Sequence, residues 1–225
     1  NQRINIPHDL VGGLAGKGLG RTSTVSGQSD FRHVGVANQT GQAVISIASE
    51  GQRIDLFLVG AGSGTSPWVQ HLLATGHRNV TLVEADEPTA ARLKLVAQAQ
   101  PSWAVQQGVV GRNSEHTPFY TASLQTESGL LEPESLRSLW PNLQTTHQQS
   151  RQAITLAELQ QDAETPANWL LVDCLPALPI IQGAAQQLAA FDVIALRVLL
   201  SSTNSNSIEL TQSASADALH PALQA

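Results

Sequence analysis

The chain has 225 residues, enough for one α/β domain with additional segments and short of two full ones. Its formal net charge of −6 and its 13% of charged residues provide no global basic field for nucleic acid or an anionic membrane surface. A single cysteine, Cys174, excludes an internal disulfide and a multi-cysteine zinc site, and no apolar run approaches the ~20 residues needed to span a bilayer. Residues 1–9 lack the basic, apolar and small-residue succession of a signal peptide, so the expected location is cytoplasmic.

Residues 1–52 read as an N-terminal segment preceding a domain over 53–225. Gly, Ser and Thr dominate its first 30 positions, with a short strand predicted over 3–6. Two β-prone runs, His33–Ala37 and Ala43–Ala48, are joined by the turn-forming Asn38-Gln39-Thr40-Gly41 and predict a hairpin. From residue 53 the pattern becomes α/β. Ile54–Val59 is a nearly continuous apolar run, broken only by Asp55, as in a strand covered on both faces. After a glycine-rich loop, Thr65 or Ser66 caps a helix, Pro67 suits its first turn, and Gly76 ends it. A second strand, Val80–Val83, ends at Glu84, and Asp86-Glu87-Pro88 opens a helix reaching about Gln100, before Pro101.

Strands follow over Val105–Val110 and Thr117–Thr121. Residues 122–150 read as irregular, with a short helix over Glu134–Leu139. Thr155-Leu156-Ala157-Glu158 is a capping box. Trp169–Asp173 is a buried strand, Ile180–Ala190 a helix, and Asp192–Leu200 the last strong strand. A weak edge strand is expected over Ser207–Thr211. Strands alternating with helices predict an α/β, Rossmann-like fold, a mostly parallel sheet with helices on both faces.

The loop Val59-Gly60-Ala61-Gly62-Ser63-Gly64 carries the strongest chemical signal. A strand running through glycines into a helix gathers backbone N–H groups and a positive helix end at one point. A carboxylate closing the next strand, Glu84, is placed to accept hydrogen bonds from ribose hydroxyls. Dinucleotide domains prefer G-x-G-x-x-G. The G-x-G-x-G spacing here is more usual for S-adenosylmethionine, which has no pyrophosphate to cradle. Gly60, Ala61, Gly62, Gly64, Glu84 and Ala85 are the candidate cofactor-binding residues.

The order of these landmarks resembles the FkbM-type family of S-adenosylmethionine-dependent methyltransferases. Leu56–Gly64 is similar to that family's first motif, and VTLVEADEP (Val80–Pro88) to its acidic second-strand motif. RQAITLAELQ (Arg151–Gln160) resembles the stretch before its fourth strand. WLLVDCLPALPIIQGA (Trp169–Ala184) resembles its KIDVEGAE…GA segment, and FDVIALRVLL (Phe191–Leu200) the strand after that. The resemblance spans roughly residues 53–200 and implies a methyltransferase fold and O-methylation of a hydroxyl on a sugar or small-molecule scaffold. The chain departs from the pattern at Leu58, where the family carries an acid, at Leu175-Pro176, where it has Glu-Gly, at Leu178, and at Arg197. The changes at Leu58 and Leu175-Pro176 remove a charge or hydrogen-bonding group near the expected site, Arg197 puts a base where an acid is expected, and proline also fixes φ and removes an N–H.

Asp173, at the carboxyl end of a central strand, is the candidate catalytic residue, as a base or a substrate-positioning group. The alternative role is to cap the next turn. Arg197 in an apolar strand needs an acidic partner or an anionic ligand. The seven histidines show no paired metal-ligand spacing, and no metal site is expected. Trp68 borders either the glycine loop or the core, Trp103 and Trp169 read as core, and Cys174 reads as a small buried hydrophobe. Three functions compete. The first is a methyltransferase acting on a small molecule or saccharide, with homo-oligomerisation left open. The second is a degenerate methyltransferase-like binding or assembly module, favoured by Leu58, Leu175 and Pro176. The third is a nicotinamide or flavin oxidoreductase, disfavoured by the glycine spacing.

Overall fold

A computed structural model describes residues 24–25, 33–36, 54–76, 79–137, 139–199 and 219. The chain is α/β. Its main sheet contains β1 (Thr24–Val25), β2 (His33–Val36), β3 (Asp55–Val59), β4 (Asn79–Glu84), β5 (Trp103–Gln107), β9 (Trp169–Val172) and β10 (Val193–Leu196). The spatial order is β1-β2-β10-β9-β3-β4-β5, and every pairing except β1 with β2 is parallel. Alternate residues of the central strands face opposite layers. Leu56 and Leu58 of β3 pack with Val69 and Leu72 of α1 (Pro67–Thr75) and Leu93 of α2 (Glu87–Ala97). Phe57 and Val59 face Leu156 and Leu159 of α3 (Leu156–Asp162) and Ile180 of α4 (Leu178–Gln182). The doubly apolar strands are thus covered on both sides, as their sequences require.

The helix ends follow local chemistry. Ser66 caps α1 by accepting from the Val69 N–H, and Gly76 ends it in the left-handed region at φ 68°. Asp86 caps α2, which stops at Ala97, short of Gln100. Thr155 and Glu158 form a complete capping box on α3.

A second, three-stranded sheet stands over the carboxyl edge of the first. It contains β6 (Val109–Gly111), β7 (His116–Ala122) and β8 (Thr145–Thr155), in the order β6-β8-β7. Its β8 corrects the expectation of irregular chain over 122–150. The strand TTHQQSRQAIT has almost no apolar alternation and is held by its antiparallel pairing with β7. The strand expected over 105–110 is two strands, because the chain passes at Gly108 from the β4 edge to β8. The short helix expected over 134–139 is a 3-10 turn over Pro133–Leu136.

The helix expected over 180–190 is α4 followed by a separate 3-10 turn, Ala185–Ala190. Gly183 stands between them, packed so tightly on the Gly111 carbonyl that a Cβ would lie 2.2 Å from it. The last strand ends at Leu196, short of Leu200. β2 pairs with β10 and β1, so this piece of the N-terminal segment belongs to the main sheet. The other hairpin arm (43–48), the strand at 3–6 and the edge strand at 207–211 lie outside the described residues. Among the described residues, no helix is long and apolar enough to cross a membrane.

Candidate functional site

The chain runs β3-β4-β5 in one direction across the sheet, then returns to the other side of β3 with β9 and β10. The reversal opens a crevice between β3 and β9 at their carboxyl ends, where open α/β sheets bind ligands. A cleft open to solvent lies there. The glycine loop and Glu84 form one wall, and Asp173, Cys174 and Leu175 another. Residues of the insert, the chain from β6 through β8 (109–155) between β5 and α3, among them Phe119, Gln125 and Gly129, form the cover.

Four of the six candidate cofactor-binding residues, Gly60, Gly62, Glu84 and Ala85, line this cleft. Ala61 and Gly64 do not. Ala61 is fully buried among Leu58, Val69 and Leu72. Gly64 packs on α2, where a Cβ would sit 2.7 Å from Val96 Cγ2. Gly60 has a similar structural reason, since a Cβ would lie 2.7 Å from Cys174 Cβ. Only Gly62, at φ 69°, has open space, with nothing nearer to a Cβ than Ser66 Cβ at 3.9 Å.

The loop's leading N–H groups turn inward. Gly60 and Ala61 donate to the Val83 carbonyl at 2.9 and 3.1 Å. Gly62 donates to Glu84 Oε2 at 2.8 Å, while Glu84 Oε1 accepts from the Asp86 N–H at 2.9 Å. The Ser66 hydroxyl donates to the Ala61 carbonyl and the Gln70 amide to the Gly64 carbonyl. These three leading amides are therefore committed to the protein, against the expectation that they gather around a ligand. Burial pushes the Glu84 carboxyl above its usual range, opposed by the Asp86 and Gly62 amides. Each of its oxygens keeps further acceptor capacity.

Asp173 follows β9, its N–H bonded to the Val59 carbonyl. Among the described residues no hydrogen bond holds its carboxylate or makes it cap the next turn, and burial raises it to about 6, moderated by the Arg197 charge. Cys174 is partly exposed on the cleft wall. Its thiol is pushed up to about 12 by burial and then by Glu84 and Asp173, so it is no nucleophile near neutral pH. Arg197 Nη2 donates to both oxygens of Glu127, at 2.8 and 2.9 Å, and the guanidinium lies 5.9 Å from the Trp140 ring centroid. The expected partner of this arginine is thus an acid from the insert.

The insert is tied down on both sides of the cleft. Gln125 Nε2 donates to Thr89 Oγ1 at 2.6 Å and Asp86 Oδ2 at 3.2 Å, at the start of α2. Arg151 of β8 donates to the Ala85 carbonyl and stacks on Phe119. Leu175 packs with Ala122, Leu131, Leu136 and Leu143 of the insert. Gly129 approaches the Leu175 carbonyl so closely that a Cβ would lie 2.7 Å from it. The departure at Leu175-Pro176 is therefore an apolar seat for the cover. Leu58 is wholly buried between Leu82 and Leu171 of the flanking strands.

Trp68 packs against the α1-side core and does not line the cleft. Trp169 is fully buried in that core, and Trp103 packs partly against it. His116 of β7 and His147 of β8 are exposed. Among the described residues, no group of three His, Cys, Asp or Glu side chains is arranged to hold a metal ion. Sequence reasoning did not single out Gln125 or Phe119, which reach the cleft only through the fold of the insert, nor Glu127, which holds the cleft-lining Arg197. Comparison with family models, with curated proteins and with solved structures returned no match for the chain.

Proposed function

We propose that the cleft binds S-adenosylmethionine and that the protein is a methyltransferase acting on a hydroxyl of a small molecule or saccharide. The observation that carries this reading is the pairing of Glu84 with the open Gly62 at the switch point of the sheet. Charge supports it too. Glu84, Asp86 and Asp173 line the cleft, and Arg197, the one lining cation among the described residues, is neutralised by Glu127. A negative wall suits a sulfonium and disfavours a pyrophosphate. With the Gly60, Ala61 and Gly62 amides committed internally, a nicotinamide or flavin dinucleotide lacks its usual cradle.

On this reading Gly60, Gly62, Glu84 and Ala85 hold the cofactor, while Ala61 and Gly64 support the loop from behind. When bound, the cofactor supplies an electrophilic methyl group on a positively charged sulfur. The cover formed by residues 125–130 excludes water and fixes the acceptor, and alignment of this kind contributes much of the rate in a displacement. Asp173 takes the hydroxyl proton. A carboxyl raised to about 6 is ionised at neutral pH yet more basic than an ordinary aspartate.

A second reading, a binding module without turnover, draws on Leu175 and Pro176, which present no polar side chain to the cleft they line. Incubation with methyl-labelled S-adenosylmethionine and a panel of hydroxylated acceptors separates the two. The methyltransferase reading predicts label in an acceptor and a loss of ~10²-fold or more in Asp173→Asn. Cofactor binding with no transfer to any acceptor would favour the module.

A further inference from the structure

The registers of β9 and β10 place Val172 opposite Leu196, so the next residues, Asp173 and Arg197, emerge side by side at the carboxyl edge. An aspartate beside an arginine ordinarily pairs with it. Here both near hydrogen bonds of the guanidinium go to Glu127, from the insert 70 positions earlier in the chain. Glu127 is itself only 8% exposed, while the Arg197 side chain keeps 25% of its surface open to solvent. Trp140 covers the same guanidinium, and the Thr126 carbonyl accepts weakly from its other nitrogen at 3.5 Å. Among the described residues, none hydrogen-bonds the Asp173 carboxylate, one strand away.

We propose that Glu127 is a positioning residue: by holding Arg197 from the insert, it leaves the Asp173 carboxylate unpaired and available to accept a proton from the molecule in the cleft. The inference rests on the reading of Asp173 as the proton acceptor of the proposed reaction. It gives the insert a chemical role besides covering the cleft, because seating the segment Gln125–Glu127 withdraws a cation from Asp173. The other charged groups around the cleft leave this competition in place. Glu84 is committed to Gly62 and Asp86, Asp86 to Thr89 and Gln125, and Arg151 to Ala85 and Phe119. Cys174, next in the chain, stays a neutral thiol. Burial favours the protonated form of Asp173, Arg197 opposes that, and Glu127 adds to it.

The test is a pH titration of the full chain carrying ¹³C-carboxyl aspartate, followed by NMR, with the Asp173 signal assigned by its loss in Asp173→Asn. Wild type titrates near 6. In Glu127→Gln the released Arg197 turns to Asp173, and the midpoint falls by about one pH unit or more. Glu127→Asp, which keeps the charge, restores most of the wild-type value. Removing both charges in Glu127→Gln/Arg197→Gln leaves the midpoint at or above wild type, and this variant buries no lone charge should Glu127→Gln fail to fold. An unmoved or raised midpoint in Glu127→Gln, or a lowered one in the double variant, would overturn the proposal. The titration needs no cofactor, so these shifts without any methyl transfer would sustain the role of Glu127 and count against the methyltransferase reading alone.

Discussion

At the scale of single residues, the glycines of the loop divide into two kinds. Gly60 and Gly64 are demanded by neighbouring protein, Cys174 and Val96, whereas Gly62 opens on the cleft. Gly64→Ala is expected to cost roughly 2 kcal/mol, from a methyl forced against Val96 at φ 91°. Gly62→Ala should cost only about 1 kcal/mol of backbone strain but reduce cofactor affinity at least tenfold. Urea denaturation and calorimetry on the two variants check the contrast, and equal losses of stability would contradict it. Asp173 offers a second test. Raised from 3.8 to about 6, it binds its proton more tightly in the folded chain than in the unfolded one. Its stabilising contribution is therefore full below about pH 4 and lost as the pH rises through 6. Asp173→Asn should be more stable than wild type by roughly 2 kcal/mol at pH 8 and show little difference near pH 4. Denaturation midpoints that are lower for the variant at pH 8 would refute this.

At the scale of elements, the insert decides what the cleft can do. Its segment over 125–130 is latched to α2 through Gln125 and to the end of β10 through Glu127. Gln125→Ala removes one latch and leaves the ion pair. Amides 125–130 should then exchange at least tenfold faster, while those of β9 keep their protection. Hydrogen exchange read by mass spectrometry checks this, and unchanged exchange in the segment would mean that the apolar seat on Leu175 holds the cover alone. The elements also differ in how well the sequence announces them. Leu56–Val59 and Trp169–Val172 are apolar on both faces, Val80–Val83 is so but for Thr81, and all three were legible for that reason. β8 was not, because Thr145–Gln152 contains no apolar residue, and its strand geometry comes from pairing with β7. The same physics explains the site. Gly60, Gly62, Glu84 and Asp173 sit at strand ends whose local pattern marks them. The need of Arg197 for a partner was visible in an apolar strand, but the identity of Glu127 was not, since a contact across 70 positions leaves no local spacing.

At the scale of the whole molecule, one reversal of strand order gathers the glycine loop, Glu84 and Asp173 at a single edge, and the insert encloses them under a negative wall. That arrangement is compatible with a Rossmann-like fold, and under the proposed function its carboxylates face a cationic cofactor rather than a diphosphate. Calorimetric titration of the protein with S-adenosylmethionine and, separately, with NADH and FAD is the most direct test. The account predicts saturable binding of S-adenosylmethionine, weakened at least tenfold in Glu84→Gln, and none of either dinucleotide. No heat of binding with S-adenosylmethionine at millimolar concentration, or tight binding of NADH or FAD instead, would contradict it.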